Sequence, residues 1–357
     1  MAQDQNGTMP QDWAGGLEPD LDGSILIARP ENPELRESAS IWLYDIEGRF
    51  AFNRIGVEAV ADTWDRRRHD GNFVFSGGRC LALSADVPAL PPERGLIIGG
   101  EGLNFTCIEP NRRWRVTFED SVFDGCVDDQ LKGRMLIDAE RDAPALEKTH
   151  FRFEADLTMA APCWAQDLRP DKLAGMSEHE LTDAGLMGLG WRVEQLCRAE
   201  GEYTLDGKTR PFLATGNRIH RQSIRPMGAF RGHCWQAALF PDGRGFGCNA
   251  YPLRAEDPQY NTCYVYVDGK MYPAKVRRPA FLRTISEGGD DVSIELEYEL
   301  GVARIQGRTL LSSYHLNKPG VNGMHLEQGH VQYSWDGVTT YGMIERSSPA
   351  DQCTIIV

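Results

Sequence analysis

The sequence predicts an all-β protein with two antiparallel β-domains, and three observations lead to this prediction. Apolar and polar residues alternate strictly in segments such as Arg113–Glu119, Phe151–Leu157 and Val292–Tyr298, as expected for strands with one buried and one solvated face. Asp-Gly pairs recur along the chain, and they supply the positive φ angles that type I′ hairpin turns require. The length of 357 residues suits two domains, each large enough to bury a core.

The Asp-Gly pairs mark the expected hairpins. They are Asp70-Gly71, Asp124-Gly125, Asp206-Gly207, Asp242-Gly243, Asp268-Gly269 and Asp336-Gly337. The strand patterns Cys263–Val267 and Met271–Val276, for example, flank one of these pairs. Each half of the chain then has eight to ten short strands, which is typical of a β-sandwich or an up-and-down barrel. An eight-stranded barrel can hold one small hydrophobic ligand.

The order of elements divides the chain into four predicted segments. These are a flexible acidic arm at 1–28, a β-domain at 29–165, a linker at 166–187 and a second β-domain at 188–357. The linker contains the best helix signal, because Ser177 and Glu180 form a capping-box pattern. We expect this short helix to run to about Leu189.

Composition restricts the partners. The chain has 38 Lys and Arg residues against 52 Asp and Glu, a formal charge of −14, which disfavours nucleic acid and anionic membranes. No apolar run approaches the ~20 residues of a bilayer span, and Met1–Asp22 has five acids and no base, unlike a signal peptide. We therefore expect a cytoplasmic protein with a small-molecule partner, no nucleic acid and no stable membrane insertion, and a homodimer remains open.

Cysteine spacing and motif searches give no metal or nucleotide site. The nine cysteines include no Cys-x-x-Cys pair, so we expect reduced thiols that lie mostly in the core. His179-Glu180 begins like a zinc-protease motif, but Asp183 stands where the second His would be. Neither a P-loop nor a Gly-x-Ser-x-Gly elbow occurs.

The candidate chemical groups cluster in the C-terminal half. One cluster, Gly216–Arg225, contains three arginines and His220, and His233 follows shortly after. His325, His330 and Glu345 lie near the end of the chain, and the odd spacing of the two histidines places them on opposite faces of a strand. A histidine near Arg and Glu can act as a general acid or base. Alternatively, Arg218, Arg225 and Glu345 form ion pairs between strands or domains, and His220 is only hydrogen-bonded.

Short motifs resemble one known family. Glu109-Pro110 followed by Arg113-Trp114-Arg115 is similar to the Glu-Pro…Arg-Trp-Arg strand of the AttH-like and carotenoid 1,2-hydratase-like (hydroxyneurosporene synthase-like) proteins, and Ile41–Asp45 fits their opening strand. Gly216, Arg218, His220 and Arg225 match the family's Gly-x-Arg-Asp-His-Ser-Trp-Gly-x-Arg motif, and Tyr341–Arg346 resembles its final hairpin. Ile219 replaces the motif's Asp, so another acid must serve His220 or the activity is lost.

The resemblance implies a fold and an activity. It implies two lipocalin-like antiparallel β-barrels, or strongly curved sheets, packed side by side. It also implies a cofactor-independent hydratase, dehydratase, isomerase or cyclase, hence a lyase or an isomerase, for a hydrophobic terpenoid, polyketide or aromatic molecule. A non-catalytic lipocalin-like carrier of a hydrophobic ligand is the alternative.

Site residues follow from the residue clusters and the resemblance together. His220 or His233 would be the acid/base and Glu345 its partner carboxylate, while Arg218, Arg225, Trp235, Tyr314 and Tyr341 would contact the substrate. Because an imidazolium is too weak an acid for an unactivated alkene, a conjugated carbonyl or a phenol is the expected reacting group.

Overall fold

The computed structural model describes residues 12–91, 97–131, 135, 146–225, 230–252, 261–286, 288–318 and 323–356. These residues form an almost entirely β structure with two α-helices, α1 (Val127–Leu131) and α2 (Glu178–Met187). The strands are β1 Leu35–Asp45, β2 Phe50–Val60, β3 Arg66–Phe75, β4 Arg79–Pro88, β5 Ile97–Gly99, β6 Leu103–Glu109, β7 Arg113–Cys126, β8 Lys148–Met159, β9 Trp164–Asp167, β10 Leu189–Leu205, β11 Lys208–Ile224, β12 His233–Leu239, β13 Gly245–Ala250, β14 Asn261–Val267, β15 Lys270–Val276, β16 Thr284–Ile285, β17 Ile294–Tyr298, β18 Gly301–Lys318, β19 Met324–Trp335, β20 Val338–Ser348 and β21 Thr354–Ile355.

Eight strands close into the first barrel, in the order β4-β3-β2-β1-β11-β10-β8-β7, with β7 pairing back to β4. In β8, the buried and exposed residues alternate along the whole strand, as predicted for a strand with one solvated face. The buried residues of these strands meet in an aromatic core that includes Phe50, Phe52, Phe73 and Phe153. Side chains therefore fill the interior of this barrel.

The second barrel closes in the order β12-β13-β14-β15-β17-β18-β19-β20. Its core includes Phe246, Val265, Ile294 and Tyr333. The two barrels pack side by side through a separate apolar cluster on their outer faces, in which the rings of Trp42 and Trp235 meet at 4.7 Å. The predicted all-β fold of two adjacent lipocalin-like barrels is confirmed.

The boundary between the barrels differs from the prediction. The hairpin of β10 and β11 pairs with β8 and β1, so the first barrel extends to Ile224 rather than ending before residue 166. The second barrel begins at His233. Pairing between strands far apart in sequence decides this boundary, and alternation within one strand carries no information about its partner. Helix α2 starts as predicted, because Ser177 and Glu180 form both bonds of a capping box.

The N-terminal segment from residue 12 onward is not the loose arm that was expected for 1–28; residues 1–11 lie outside the described residues. Asp22 is only 2% exposed, and its carboxylate accepts bonds from the Asn111 backbone, the Trp114 indole and the Arg218 guanidinium. A backbone bond also joins Cys163 to Trp13. The buried Asp22 and apolar residues such as Leu17, which packs with Trp191 and Val193, anchor the segment together, and composition missed them because their partners lie far away in the sequence.

Four of the six Asp-Gly pairs lie at the predicted hairpin turns, and one of them, Asp242-Gly243, joins β12 to β13 with positive φ at Gly243 alone. Asp206-Gly207, Asp268-Gly269 and Asp336-Gly337 have positive φ at both residues and join consecutive strands. Asp70-Gly71 and Asp124-Gly125 instead lie inside β3 and β7, where the expectation of a turn was wrong. In both places the residues pair with strand β4 across the sheet, which keeps the chain extended.

All nine cysteines are free, and seven of them are buried, in agreement with their expected position mostly in the core. Among the described residues, neither helix combines the length and apolar character that crossing a bilayer requires.

Candidate active site

A cavity of about 130 Å³ lies between the outer faces of the two barrels. The first barrel contributes to it from β1, β2, β3, β10 and β11, and the second barrel from β12, β13, β19 and β20. Its polar lining residues are Arg36, Ser40, Arg54, Glu58, Arg68, Asp70, Arg192, Arg221, Arg225, His233, Asn249, Tyr251, Gln328 and Glu345, and its apolar ones are Trp42, Ile219, Phe230, Trp235 and Leu326. The cavity therefore combines charged and aromatic walls.

His233 and Glu345 form an ionisable pair in this cavity. The strands β12 and β20 are neighbours, and their register sets Trp235 opposite Glu345 and His233 opposite Ser347. His233 Nε2 lies 3.3 Å from Glu345 Oε1, and both side chains are largely buried. The other ring nitrogen, Nδ1, lies 2.8 Å from Ser347 Oγ. Both ring nitrogens thus have a polar partner, a carboxylate on one side and a hydroxyl on the other.

The Glu345 carboxylate is held in the ionised form. Burial alone would raise its pKa, but the hydrogen bond and charge of His233, with help from Arg54 and Gln328, lower the pKa to about 2. Gln328 Nε2 donates to Glu345 Oε2 at 2.7 Å, and Asn72 Nδ2 donates to Gln328 Oε1 at 2.8 Å. This chain of amides crosses from the second barrel to the first and fixes the orientation of the carboxylate.

The cavity carries a surplus of positive charge. Six arginines and three carboxylates line it, a formal excess of three positive charges in a chain of net charge −14. Arg54 reaches the cavity from a bulge in β2 and has φ of +55°, an uncommon backbone conformation for a residue other than glycine. Bulges re-aim side chains near functional sites, and here the bulge places Arg54 3.0 Å from Asp70.

His220 and Arg218 lie elsewhere, in a polar cluster inside the first barrel. Arg218 donates to both carboxylate oxygens of Asp22, at 2.7 and 3.1 Å. His220 is fully buried, with Nδ1 3.0 Å from the Asp22 carbonyl oxygen and Nε2 3.3 Å from Glu37 Oε1. No acid stands next to His220 in the sequence, and the two acidic residues that contact it, Asp22 and Glu37, come from distant segments. For these two residues the geometry agrees with the alternative of ion pairing and hydrogen bonding.

Tyr314 and Tyr341 also lie outside the cavity. Tyr341 packs on His330, with ring centroids 4.7 Å apart, and Tyr314 packs with Leu282 and donates to the Ser286 carbonyl oxygen. The predicted residues therefore separate into two groups. Those at the cavity are His233, Glu345, Arg225 and Trp235, and those outside it are His220, Arg218, Tyr314 and Tyr341.

Several cavity residues escaped sequence reasoning. Arg54, Arg192 and Gln328 belong to no local motif, because strands from both barrels must assemble before these residues meet. Arg221 lies within the Gly216–Arg225 cluster, and its position an odd number of residues from Arg218 was a usable signal for the opposite face of the strand. Within the described ranges, no group of three or more His, Cys, Asp and Glu side chains is arranged to hold a metal ion.

Solved structures with a similar fold cover nearly the whole chain. An AttH-like protein from Nitrosomonas europaea has a TM-score of 0.55 at 13% identity, covering 93% of this chain and 99% of its own. CghA, solved alone and with Sch210972, has a TM-score of 0.52 at 12% identity; each alignment covers 96% of this chain, and 97% or 98% of CghA. Kievitone hydratase from Nectria haematococca has a TM-score of 0.49 at 9% identity, covering 94% and 97% of the two chains. The first two support the fold that the resemblance implied.

At the level of sequence, the model of one family matches residues 28–350, and its description is "Domain of unknown function (DUF7064)". No curated protein matches the chain.

Proposed function

This chain belongs to the DUF7064 family, and we propose that it is an enzyme that moves a proton on a small organic molecule in the cavity between its barrels. The observation that carries the proposal is the His233–Glu345 pair, an imidazole and an ionised carboxylate 3.3 Å apart on the wall of that cavity. An ionisable group whose environment perturbs its pKa, as here for Glu345, is a candidate for a role in acid–base catalysis when it lines a cleft. The other predicted histidine, His220, is fully buried and does not line the cavity, so we assign it a structural role.

His233 is the group that changes protonation in this proposal. The Nε2 proton of the imidazolium leaves its 3.3 Å contact with Glu345 Oε1 and passes to a carbonyl or hydroxyl oxygen of the substrate, and Glu345 stays ionised and balances the charge. The neutral imidazole then removes a proton from a neighbouring carbon, which restores the imidazolium. The result is an isomer, or an alkene and water when the protonated hydroxyl leaves.

The substrate follows from the strength of this acid. A histidine can give a proton to the carbonyl oxygen of a conjugated carbonyl compound as enolate character develops there, or take the hydroxyl proton of a phenol, so we propose an aromatic, polyketide or terpenoid molecule with such a group. Trp235 contacts the apolar part and Arg225 the polar end. Proton transfer needs only His233 and Glu345, so the proposal uses no cofactor. The same proposal includes a reaction similar to those of the carotenoid 1,2-hydratase-like proteins. It also places the protein in the cytoplasm.

A ligand that co-purifies from the natural host tests the proposal. Native mass spectrometry identifies the ligand, which is then incubated in excess with catalytic amounts of protein. We expect many turnovers per protein, lost in His233→Gln and retained in His150→Gln, a matched change at an exposed histidine. Stoichiometric recovery of unchanged ligand would instead support the carrier function and overturn the enzyme proposal.

A further inference from the structure

A second cavity, of about 500 Å³, lies between the two barrels at the other end of their interface from the candidate active site. The same strands line both cavities. On β20, Glu345 lines the first cavity and Tyr341 the second, and on β12 Trp235 and Leu239 do so. Met343 lies between the two β20 residues and is fully buried, so packed side chains separate the second cavity from the first.

The walls of the second cavity are largely apolar. The second barrel contributes Leu239, Phe240 and Pro241, and the first barrel contributes Ile46 and Leu213. The Ile46 amide donates to the Leu213 carbonyl oxygen at 3.1 Å, so these two residues are neighbours, and their side chains are 52% and 51% exposed. Large apolar side chains that stay half in water gain free energy when an apolar group covers them.

Two hydroxyl groups in these walls are already used by the protein. Thr215 Oγ1 donates to the Tyr341 carbonyl oxygen at 3.2 Å, which joins the first barrel to the second, and Thr340 Oγ1 donates to the Leu239 carbonyl oxygen at 2.7 Å. Their protons are therefore not available to a ligand. The polar contact that a ligand can gain here must come from another group.

Arg198 supplies that contact. Among the described residues that line the second cavity, it alone is charged. It is exposed, and its neighbours across the sheet are the uncharged Thr158 and Thr215. Glu200 stands two residues further along β10 but does not line the cavity. Within the described part of the chain, the Arg198 guanidinium makes neither a salt bridge nor a hydrogen bond. A guanidinium remains charged in proteins, so the cavity presents one cation beside an apolar wall.

The volume sets the size of the occupant. A cavity of about 500 Å³ lies within the range of roughly 300–1,000 Å³ that is usual for small-molecule sites. It is about three times the ~150 Å³ of a cavity that holds benzene. The space therefore suits an apolar body of two or three rings.

We infer that the second cavity binds an organic anion with an apolar body of two or three rings. The body lies against Ile46, Leu213 and Phe240, and the anionic group lies beside Arg198. Sulfonate and carboxylate oxygens accept the charged hydrogen bonds that a guanidinium donates. This site is separate from the proposed enzyme site and does not depend on it.

Fluorescence titration with anilinonaphthalene sulfonate (ANS) tests the inference, because ANS combines three aromatic rings with a sulfonate. Phenylnaphthylamine has the same rings without the charge. We expect one ANS molecule to bind per chain. Arg198→Gln should weaken ANS binding at least threefold and leave phenylnaphthylamine binding unchanged, since only the ionic contact is lost. Leu213→Asn should weaken the binding of both probes at least fivefold, because both lose apolar contact.

Two matched changes at exposed positions outside the second cavity serve as controls. Arg152→Gln on β8 and Leu300→Asn in the second barrel replace exposed side chains, and both variants should bind both probes as wild type does. His233→Gln should also keep ANS binding. Failure of this site and failure of the proposed enzyme function can thus be told apart.

Unchanged ANS binding in folded Leu213→Asn would overturn the inference. Equal weakening of both probes in Arg198→Gln would also contradict it, because the charge would then play no part. If a variant does not fold, raising NaCl with the wild-type protein decides: ANS binding must weaken more than phenylnaphthylamine binding, and equal responses contradict an ionic contact. Finally, a wild-type dimer that binds no ANS and that Leu213→Asn dissociates would show that a second copy of the chain covers this cavity, and would refute the small-molecule site.

Discussion

The substitution Asp22→Asn should strongly decrease the free energy of unfolding, although Asp22 lies outside the strands of both barrels. It leaves the shape of the side chain almost unchanged but removes a charge that pairs with Arg218 at 2.7 Å, where both side chains are 1% exposed. Breaking a buried pair by removing one partner costs about 3–5 kcal/mol, because the other charge stays buried. The new amide NH₂ would also meet donors, since the Asp22 carboxylate accepts from the Trp114 indole and the Asn111 backbone. We expect a loss of about 4 kcal/mol.

Urea unfolding followed by circular dichroism measures this loss. Asp20→Asn, an exposed acid two residues away, is the matched control and should change the free energy of unfolding by less than about 0.5 kcal/mol. Arg218→Met alone should cost as much as Asp22→Asn, but the double variant should cost clearly less than the sum. If Asp22→Asn loses less than 1 kcal/mol, or if the two changes are additive, the segment is not anchored by this pair.

Three further predictions concern the cavity with His233 and Glu345 and the polar cluster around His220. Because the pKa of Glu345 falls from 4.5 to about 2, its carboxylate stabilises the fold above pH ~4.5 by about 3 kcal/mol, and this contribution is lost as the pH falls toward 2. The stability gap between wild type and Glu345→Gln, measured by urea unfolding, should therefore narrow as the pH decreases from 5 to 3, and a constant gap would contradict the shift.

For His220, burial lowers the pKa, but hydrogen bonds to Asp22 and Glu37 raise it above the usual 6.5. Its charge stabilises the fold below pH ~6.5 and is lost as the pH rises through the higher folded-state value. His220→Gln should accordingly lower the melting temperature more at pH 6 than at pH 9, and an equal loss at both would argue against a charged ring. Finally, Gln328→Met removes the amide that holds Glu345 and should lower kcat about tenfold with little change in KM; unchanged kcat would show that the amide plays no positioning role.

Local patterns were sufficient to predict the strands, four hairpin turns and helix α2. The alternation along β8 and the capping box at Ser177 depend on neighbours within a few residues, which sequence shows directly. The extent of the first barrel depends on β11 pairing with β1, about 170–190 residues away by sequence. No periodicity within either strand specifies that partner.

The candidate site shows the same difference between what local patterns predict and what only long-range pairing determines. His233, Glu345, Arg225 and Trp235 were chosen from clusters of chemical residue types, and they meet at the cavity because β12 pairs with β20. His220 and Arg218 were chosen in the same way, yet they face the opposite side of β11 from Arg221. Which face of a strand is covered by the neighbouring barrel depends on the tertiary structure. This covering places His233, and not His220, at the cavity.

Deuterium transfer from solvent tests the central claim most directly, since the claim is that His233 moves a proton. The identified ligand is turned over in D₂O, and mass spectrometry follows deuterium in the substrate pool and product. We expect incorporation by the wild type, a decrease of at least 100-fold in folded His233→Gln, and a rate within about threefold of wild type in folded His220→Gln. Incorporation that survives His233→Gln but disappears in His220→Gln would contradict the account and place the chemistry inside the first barrel.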